Sequence, residues 1–380
     1  MDATRAALDL CGTWRATPAD DDLRRTSLRD MDDSGWEDIA VPGHWRSSVA
    51  FADLDAPLLY RRTFSLDGGA FAAGHDLGPA HRDWLVLDGI FYTADVWLDD
   101  AYVGDAEGYF FPQAFEVTGP LSQDDEHVVA LEVACDPPGD RTAKRNLTGV
   151  FQHWDLLDQR GNPGGIWQAV RIERSGPVRI SHSRVLCRSA RAEAATLGLR
   201  VVLDALDAGD VTLRTTVVRP DGEELVDSRT QPLATGENRV EWTVDVPRPD
   251  RWWPWALGEQ PLHDVRIEVV LADGRRSDGI VRRVGLREVV LRDWILWVNG
   301  ERLFVKGANH GPTRALLAEA TPEEVTADVV LAKEAGLDLL RVHAHVARPE
   351  LYDAADDAGL LLWQDMPLQW GYHRSIRRQA

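Results

Sequence analysis

The chain has 380 residues, 44% of them hydrophobic, so it is long enough for two or three domains with ordinary globular cores. Its 62 acidic residues outnumber 42 basic ones and give a formal net charge of −20. That excess disfavours nucleic acid and anionic membranes as partners and reads first as a well-hydrated acidic surface. No long apolar run suggests a membrane span, and the first residues lack the basic-then-apolar pattern of a signal peptide. Cys11, Cys135 and Cys187 are odd in number and scattered. They suggest neither a disulfide framework nor a metal pattern, so the reading is a reducing, cytoplasmic compartment with no metal and no cofactor.

The first region, Leu8 to Arg174, reads as β-structure. Leu59 to Leu66 and Asp83 to Asp88 are strand-like. From His127 to Cys135 the residues Val129, Leu131, Val133 and Cys135 alternate onto one face. Ala94 to Leu98, the turn Asp99-Asp100 and Ala101 to Val103 predict a hairpin. Short strands parted by Gly, Pro and Asp predict a sandwich or jelly roll.

The second region, Gly176 to Leu291, keeps period two and shows no helix signal. Leu197, Leu199, Val201 and Leu203 alternate, as do Val211, Leu213, Thr215 and Val217. The pattern returns at Val240, Trp242, Val244 and Val246, and at Val265, Ile267, Val269 and Leu271. Such a run of strands predicts an immunoglobulin-like β-sandwich without its disulfide. The tryptophans of Trp252-Trp-Pro-Trp255 read as core and interdomain packing rather than ligand contacts, because an indole buries much area and needs one hydrogen-bond partner.

The texture changes at Asn299. Leu303 to Lys306 reads as a short strand. Thr321-Pro-Glu-Glu324 is a strong helix start, with Thr as N-cap, Pro at the first helical position and Glu three residues after the cap. Val325, Val329 and Ala332 follow at helical spacing, and Gly336 suits the end. Leu337 to Val342 is strand-like, Pro349 opens a second helix, Gly359 ends it, and Leu360 to Trp363 is a buried strand. The order β-α-β-α-β with short links predicts parallel strands covered by helices. A closed (β/α)8 barrel needs roughly 250 residues, so the stretch after Asn299 fits only its first three strands. Arg374 to Arg378 reads as the start of a further helix.

Several short motifs stand in order along the chain: Leu10-Cys-Gly-Thr-Trp14, Val41-Pro-Gly43, Tyr60-Arg-Arg-Thr-Phe64, Gly164-Gly-Ile-Trp167, Val284-Gly-Leu-Arg-Glu288, Asn299 to Pro312, Leu340-Arg-Val-His343 and Gly359 to Asp365. Together they resemble the front of glycoside hydrolase family 2, the β-galactosidase, β-glucuronidase and β-mannosidase family. The resemblance implies a mainly β, multidomain fold. Residues 1–175 would be a jelly-roll sugar-binding domain, 176–294 an immunoglobulin-like β-sandwich, and 295–380 the start of an incomplete (β/α)8 barrel. Trp363-Gln-Asp365 is similar to the β-mannosidase branch. Met366-Pro-Leu-Gln-Trp370 and His343 depart from that branch, which usually has a Phe-Met-Phe type run and a Trp at those places, and this leaves the sugar open.

The functional argument lies just after each strand of the tail. In parallel α/β barrels the C-terminal strand ends share one mouth. Asn309, His310, Arg341, His343, Trp363, Asp365 and Trp370 are therefore the candidate substrate-binding residues. Planar donors and acceptors fix sugar hydroxyls, and aromatic faces stack on the ring. Each has a plainer alternative. Asn309 suits a turn, Arg341 a structural pair with a carboxylate, Asp365 a loop contact, and Trp363 and Trp370 packing. His343 and His345 fall on opposite sides of an extended segment, so at most one faces the mouth, and His343 is favoured. A zinc site from that pair lacks further ligands at suitable spacing.

The activity implied by the resemblance is retaining hydrolysis of a terminal β-linked sugar, which uses two carboxylates about 5 Å apart. In the family both glutamates come from later barrel strands. The expectation is thus an N-terminal portion of an exo-β-glycosidase that contains no catalytic residue and is inactive alone. Its partner is a carbohydrate, and the oligomeric state stays open. The alternatives are a non-catalytic carbohydrate-binding protein and a structural array of sandwiches, the latter leaving the αβ tail unexplained.

Overall fold

The computed structural model of the chain describes residues 5–20, 27–66, 77, 80–122, 125–136 and 164–366. The candidate residue Trp370 and the run Arg374 to Arg378 lie outside them.

The first region packs two antiparallel sheets face to face. One orders Ala6–Asp9, Val170–Ser175, Arg82–Leu87 and Gln113–Glu116 side by side. The other orders Glu37–Val41, Gly12–Pro18, Leu58–Ser65, Glu126–Ala134, Thr93–Leu98 and Ala101–Glu107. Leu85, Leu87 and Ile172 from one sheet meet Trp14, Tyr60, Val129 and Leu131 from the other in one core. The expected hairpin forms around Asp99 and Asp100, whose φ angles of 49° and 65° supply the positive-φ pair that a tight two-residue turn needs. One pattern is fuller than its sequence suggests. Val129, Leu131 and Val133 face the core as expected, but Val128 and Ala130 on the opposite face are buried too. A second layer explains this, since Leu28 and Met31 pack with Leu59 and Ala130 on the outside of the sheet.

The second region is also built of two antiparallel sheets. Val178–Ala190, Ala194–Ala205 and Gly236–Pro247 form one, and Glu224–Leu233, Gly209–Val218, His263–Val270 and Arg276–Val284 the other. The alternating residues read from the sequence are the core: Leu197, Leu199, Val201 and Leu203 face Val211, Leu213, Val217, Val265, Ile267 and Val269. Trp242 joins them and donates its indole N–H to the Thr215 hydroxyl at 3.2 Å. The three cysteines are free thiols.

A three-stranded meander follows, made of Val289–Arg292, Ile295–Val298 and Glu301–Leu303. Its two turns again rest on positive φ, at Asp293 and Trp294 and at Asn299 and Gly300. Here the structure corrects the sequence reading. Leu303 belongs to the meander and pairs with Leu296, and the first parallel strand is Gly307–His310 rather than Leu303 to Lys306. The Asn-Gly turn folds the chain back before it can enter the parallel sheet, and Phe304 to Lys306 link the two.

The parallel unit then runs strand Gly307–His310, helix Pro322–Glu334, strand Leu339–Val342, helix Pro349–Ala358, strand Leu361–Gln364. Strand order is sequential, and both pairings are parallel. The first helix begins as expected: the Thr321 side chain accepts from the Glu324 N–H, and the Glu324 carboxylate accepts from the Thr321 N–H. The second helix starts with Pro349 and stops at Gly359, which takes a left-handed φ of 81°. Val325, Val329, Leu351 and Ala355 from the helices cover Leu340, Val342 and Leu360 of the sheet. The opposite face of the sheet has no helix on it among the described residues. No described helix is long and apolar enough to cross a membrane.

Candidate active-site mouth

The parallel register puts Asn309, Arg341 and Trp363 side by side in one row across the three strands. Neighbours in register share a face, and alternation sends the next residues, His310, Val342 and Gln364, to the helix-covered side. Asp365 follows the third strand by one residue and returns to the open face. Its carboxylate lies 2.7 Å from the Arg341 guanidinium. Arg341 also donates to the Asn309 side-chain oxygen, at 3.5 Å. Arg341 remains 43% and Asp365 21% exposed, so both keep edges free for a ligand beyond their own contact. Trp363 is 58% exposed beside them. The row thus offers a guanidinium, a carboxylate, an amide and an indole face at one end of one sheet.

The other candidates are placed differently. His310 turns to the helix side, where its Nε2 lies 3.3 Å from the Asp328 carboxylate. Burial depresses its pKa, against the pull of Asp328. His343 is half-buried just beyond the second strand, and its N–H donates to the His310 carbonyl at 3.0 Å. The segment around it is not extended as the sequence reading assumed. Ala344 takes a φ of 58°, which turns the chain and drives His345 inward, 1% exposed.

Residues that sequence reasoning passed over hold this mouth in shape. The middle residue of Trp363-Gln-Asp365 is a clamp. Gln364 donates from Nε2 to the His345 carbonyl at 2.6 Å and accepts from the Tyr352 hydroxyl at 2.6 Å. Tyr352 in turn accepts from the Ala347 N–H at 3.2 Å. The third strand, the second helix and the loop after the second strand are therefore tied at one point. The available signal was period two itself, which places Gln364 opposite Trp363 and Asp365.

Both sandwiches grip the parallel unit. From the second, the Trp252 indole donates to the Asp356 carbonyl and the Trp255 indole to the Leu337 carbonyl, each at 2.8 Å. Arg287 stacks over Trp252 at 4.2 Å and pairs with Asp356 at 2.9 Å. These tryptophans pack against the parallel unit, in line with the packing role that the sequence favours. From the first, the His44 ring bridges a carbonyl and an amide N–H. Its Nδ1 donates to the Gly164 carbonyl at 3.0 Å, and its Nε2 accepts from the Ala318 N–H at 2.9 Å. Trp167, Phe91 and Tyr109 pack against Leu317 beside it. Among the described residues no cluster of three or more His, Cys, Asp or Glu side chains is placed to hold a metal.

Comparison with known proteins places this architecture. The chain carries a domain of glycoside hydrolase family 2: residues 178–287 match the family model described as Glycosyl hydrolases family 2. The family model supports the resemblance read from the ordered motifs, and the relatives carry glucosaminidase, galactosidase and mannosidase names. The chain is 30% identical over 336 residues to an exo-beta-D-glucosaminidase of Arthroderma benhamiae, matching 83% of this chain and 35% of that protein. It is 24% identical to beta-mannosidase B of Aspergillus niger, over 90% of this chain and 44% of that protein. The crystal structure of a beta-D-mannosidase from Dictyoglomus thermophilum superposes with a TM-score of 0.78 at 19% identity, covering 98% of this chain and 49% of the other. The chain spans about a third of the length of the first curated relatives it matches.

Proposed function

We propose that this chain is the substrate-binding front of a retaining exo-β-glycosidase that removes terminal β-linked sugars. In this reading residues 1–175 are the jelly-roll sugar-binding domain, 176–294 the immunoglobulin-like sandwich, and the parallel unit the first strands of a (β/α)8 barrel. The observation that carries it is the row of Asn309, Arg341 and Trp363 with Asp365 at the C-terminal ends of adjacent parallel strands, where such folds build their sites. The likeness to glycosidases named for glucosamine, mannose and galactose supports the substrate class.

The division of labour follows from the groups present. Arg341 donates to, and Asp365 accepts from, hydroxyls on neighbouring sugar carbons, while their mutual contact fixes the angle between them. Asn309 adds one donor and one acceptor. Trp363 offers its face to the apolar side of the ring, and His343 borders the row. Trp370 follows shortly in sequence and belongs to the same proposed set. His310 supports the row from behind. The retaining mechanism uses a carboxylate pair about 5 Å apart. Asp365 instead faces Arg341, so its role is hydroxyl recognition and no catalytic residue is assigned here.

The test is sugar binding by the 380-residue chain, followed by ligand-observed NMR with methyl β-mannoside, β-glucosaminide, β-galactoside and β-glucuronide. At least one should bind, and Arg341→Ala or Asp365→Asn should weaken it tenfold or more. Binding that ignores both substitutions would refute this mouth, and turnover abolished by Asp365→Asn would show that Asp365 does catalytic work.

A further inference from the structure

Behind the open row lies a second polar feature with no part in sugar recognition. His310 and His345 face each other with ring centroids 6.5 Å apart and planes 30° from parallel. Both line a cavity of about 30 Å³, together with Trp167 of the first sandwich, Thr313, Leu317, Val325 and Leu351. His345 is 1% exposed, and the His310 side chain 11%.

The protonation of each ring follows from its outer contact. The Asp328 carboxylate 3.3 Å from the His310 Nε2 would repel a lone pair there, so its charge favours the proton on Nε2. A backbone carbonyl only accepts, so the His345 Nδ1 that lies 3.1 Å from the His343 oxygen carries the proton there. Each neutral ring has one proton to place, and both have used it. The remaining nitrogens, His310 Nδ1 and His345 Nε2, are bare lone pairs. Both are buried, and neither has a partner among the described residues. Burial holds both rings neutral, with His345 lowered to about 4.

Two bare acceptors lining one cavity ask for a donor with two hydrogens. An unmade hydrogen bond at a buried group is costly, and buried waters commonly fill such places. The cavity has room for a water molecule. A metal ion would also accept two lone pairs. Yet no third His, Cys, Asp or Glu joins this pair among the described residues, and Arg314 and Arg348 line the same cavity.

We propose that His310 and His345 hold one buried water between them, which donates a hydrogen to each bare nitrogen and fixes the ends of the first two parallel strands relative to each other. The backbone already carries one such tie, from the His343 N–H to the His310 carbonyl at 3.0 Å. The water adds a side-chain tie beside it. His345 also receives the Gln364 clamp on its carbonyl, so all three strand ends converge on this residue. His345 is then a positioning residue for Asn309 and Arg341, and the inference does not depend on which ligand they bind.

A crystal structure of the 380-residue chain at a resolution that shows ordered solvent tests it directly. One spherical peak should lie about 2.7–3.1 Å from both nitrogens. An empty cavity would overturn the proposal. So would a peak about 2.0–2.1 Å from the nitrogens with an anomalous zinc signal, which would make the pair a metal site instead. Long-range proton–nitrogen NMR of the same chain should find His310 protonated at Nε2 and His345 at Nδ1 near neutral pH. The opposite tautomer at either ring removes an acceptor and sinks the idea. Finally, His310→Phe and His345→Phe should lower the thermal midpoint by less together than the sum of their separate effects, because either one already releases the water. Simple additivity would count against a shared water. The first two measurements use the unaltered chain and stand even if a variant fails to fold.

Discussion

The second sandwich and the parallel unit are built from the same apolar residue types but leave opposite residues exposed. In the sandwich each strand buries one face and wets the other. Val240, Trp242, Val244 and Val246 go in while Glu241, Thr243 and Asp245 stay out. In the parallel unit one face is sealed by two helices, and the other carries Asn309, Arg341 and Trp363 in the open. The sandwich supports itself from both sides. The parallel sheet borrows its lower support from outside itself, where Trp252 and the meander residues Val298 and Leu303 pack with Leu361. Rigidity is therefore supplied from outside the element that presents the polar row.

The sharpest way to break this comparison is Trp252→Ala. The side chain is fully buried, donates to the Asp356 carbonyl and lies under Arg287. Truncating such an aromatic costs about 3–5 kcal/mol. If the parallel unit leans on the sandwich, amide exchange should rise throughout residues 307–364 and little in 194–247. Equal loosening of both regions would show that they form one cooperative block.

Acid offers the next largest effect. His44 and His345, each held at about 4 by burial, flank the junction between the first sandwich and the parallel unit. In the unfolded chain a histidine titrates near 6.5, so between pH 6.5 and 4 the unfolded state binds protons that the folded state refuses. Stability contributed by this junction is therefore full above pH 6.5 and falls as pH drops through that window. Each ring accounts for a loss on the order of 3 kcal/mol. Carboxylates contribute lower down. Burial raises Glu173, but Arg5, Arg171 and Arg179 outweigh it and hold the group below its ordinary 4.5. Unfolding midpoints measured from pH 8 to 4.5 should fall, and His345→Gln should flatten the slope. A flat profile in the unaltered chain would contradict neutral burial of these rings.

Gly359 tests the same dependence at one atom. Its left-handed φ of 81° ends the second helix, and an added Cβ would sit 2.7 Å from the Trp255 backbone nitrogen. Gly359→Ala should cost about 1–3 kcal/mol through the strained conformation, and more if the Trp255 contact must open. Thermal melts of this variant and of Gly336→Ala separate the two terms. Gly336 has a similar φ of 76° but nothing within 4 Å of its would-be Cβ, so it reports the backbone term alone.

Legibility in the sequence follows the same division. The sandwich strands were readable because burial on one side imposes period two, and the helix at Thr321 because its capping box is local chemistry. The Asp99-Asp100 turn was readable for the same local reason. The Asn299-Gly300 turn carried an equally strong hairpin signal, yet Leu303 to Lys306 was assigned to the parallel sheet. A short apolar run looks alike in either setting, and only the turn before it decides which way the chain goes. The convergence of Asn309, Arg341, Trp363 and Asp365 was readable because strand ends fix where side chains meet. The inward turn of His345 was not, because it hangs on one left-handed residue, Ala344, that has no sequence signature. Gln364 was overlooked between two more conspicuous neighbours, although alternation already assigned it to the covered face.

Asp365→Asn should give the smallest change in stability and is the most discriminating for function. The Arg341–Asp365 pair is partly exposed, at 43% and 21%, and solvent screens it. Such pairs are worth about 0.2–1 kcal/mol, so a denaturation midpoint should barely move. A buried structural pair would behave otherwise, since removing one partner from it costs about 3–5 kcal/mol. Asparagine keeps the size and one acceptor but loses the charge that holds the guanidinium. Arg341 would then be free to swing, and Asn309, 3.5 Å from it, would lose its fixed neighbour. The sugar reading therefore expects intact folding with weakened glycan binding. A loss of several kcal/mol would instead mean that the row is a strut for the sheet, as an arginine paired with a carboxylate can be. The exposed face of the parallel unit would then differ from the sandwich in geometry alone and not in purpose.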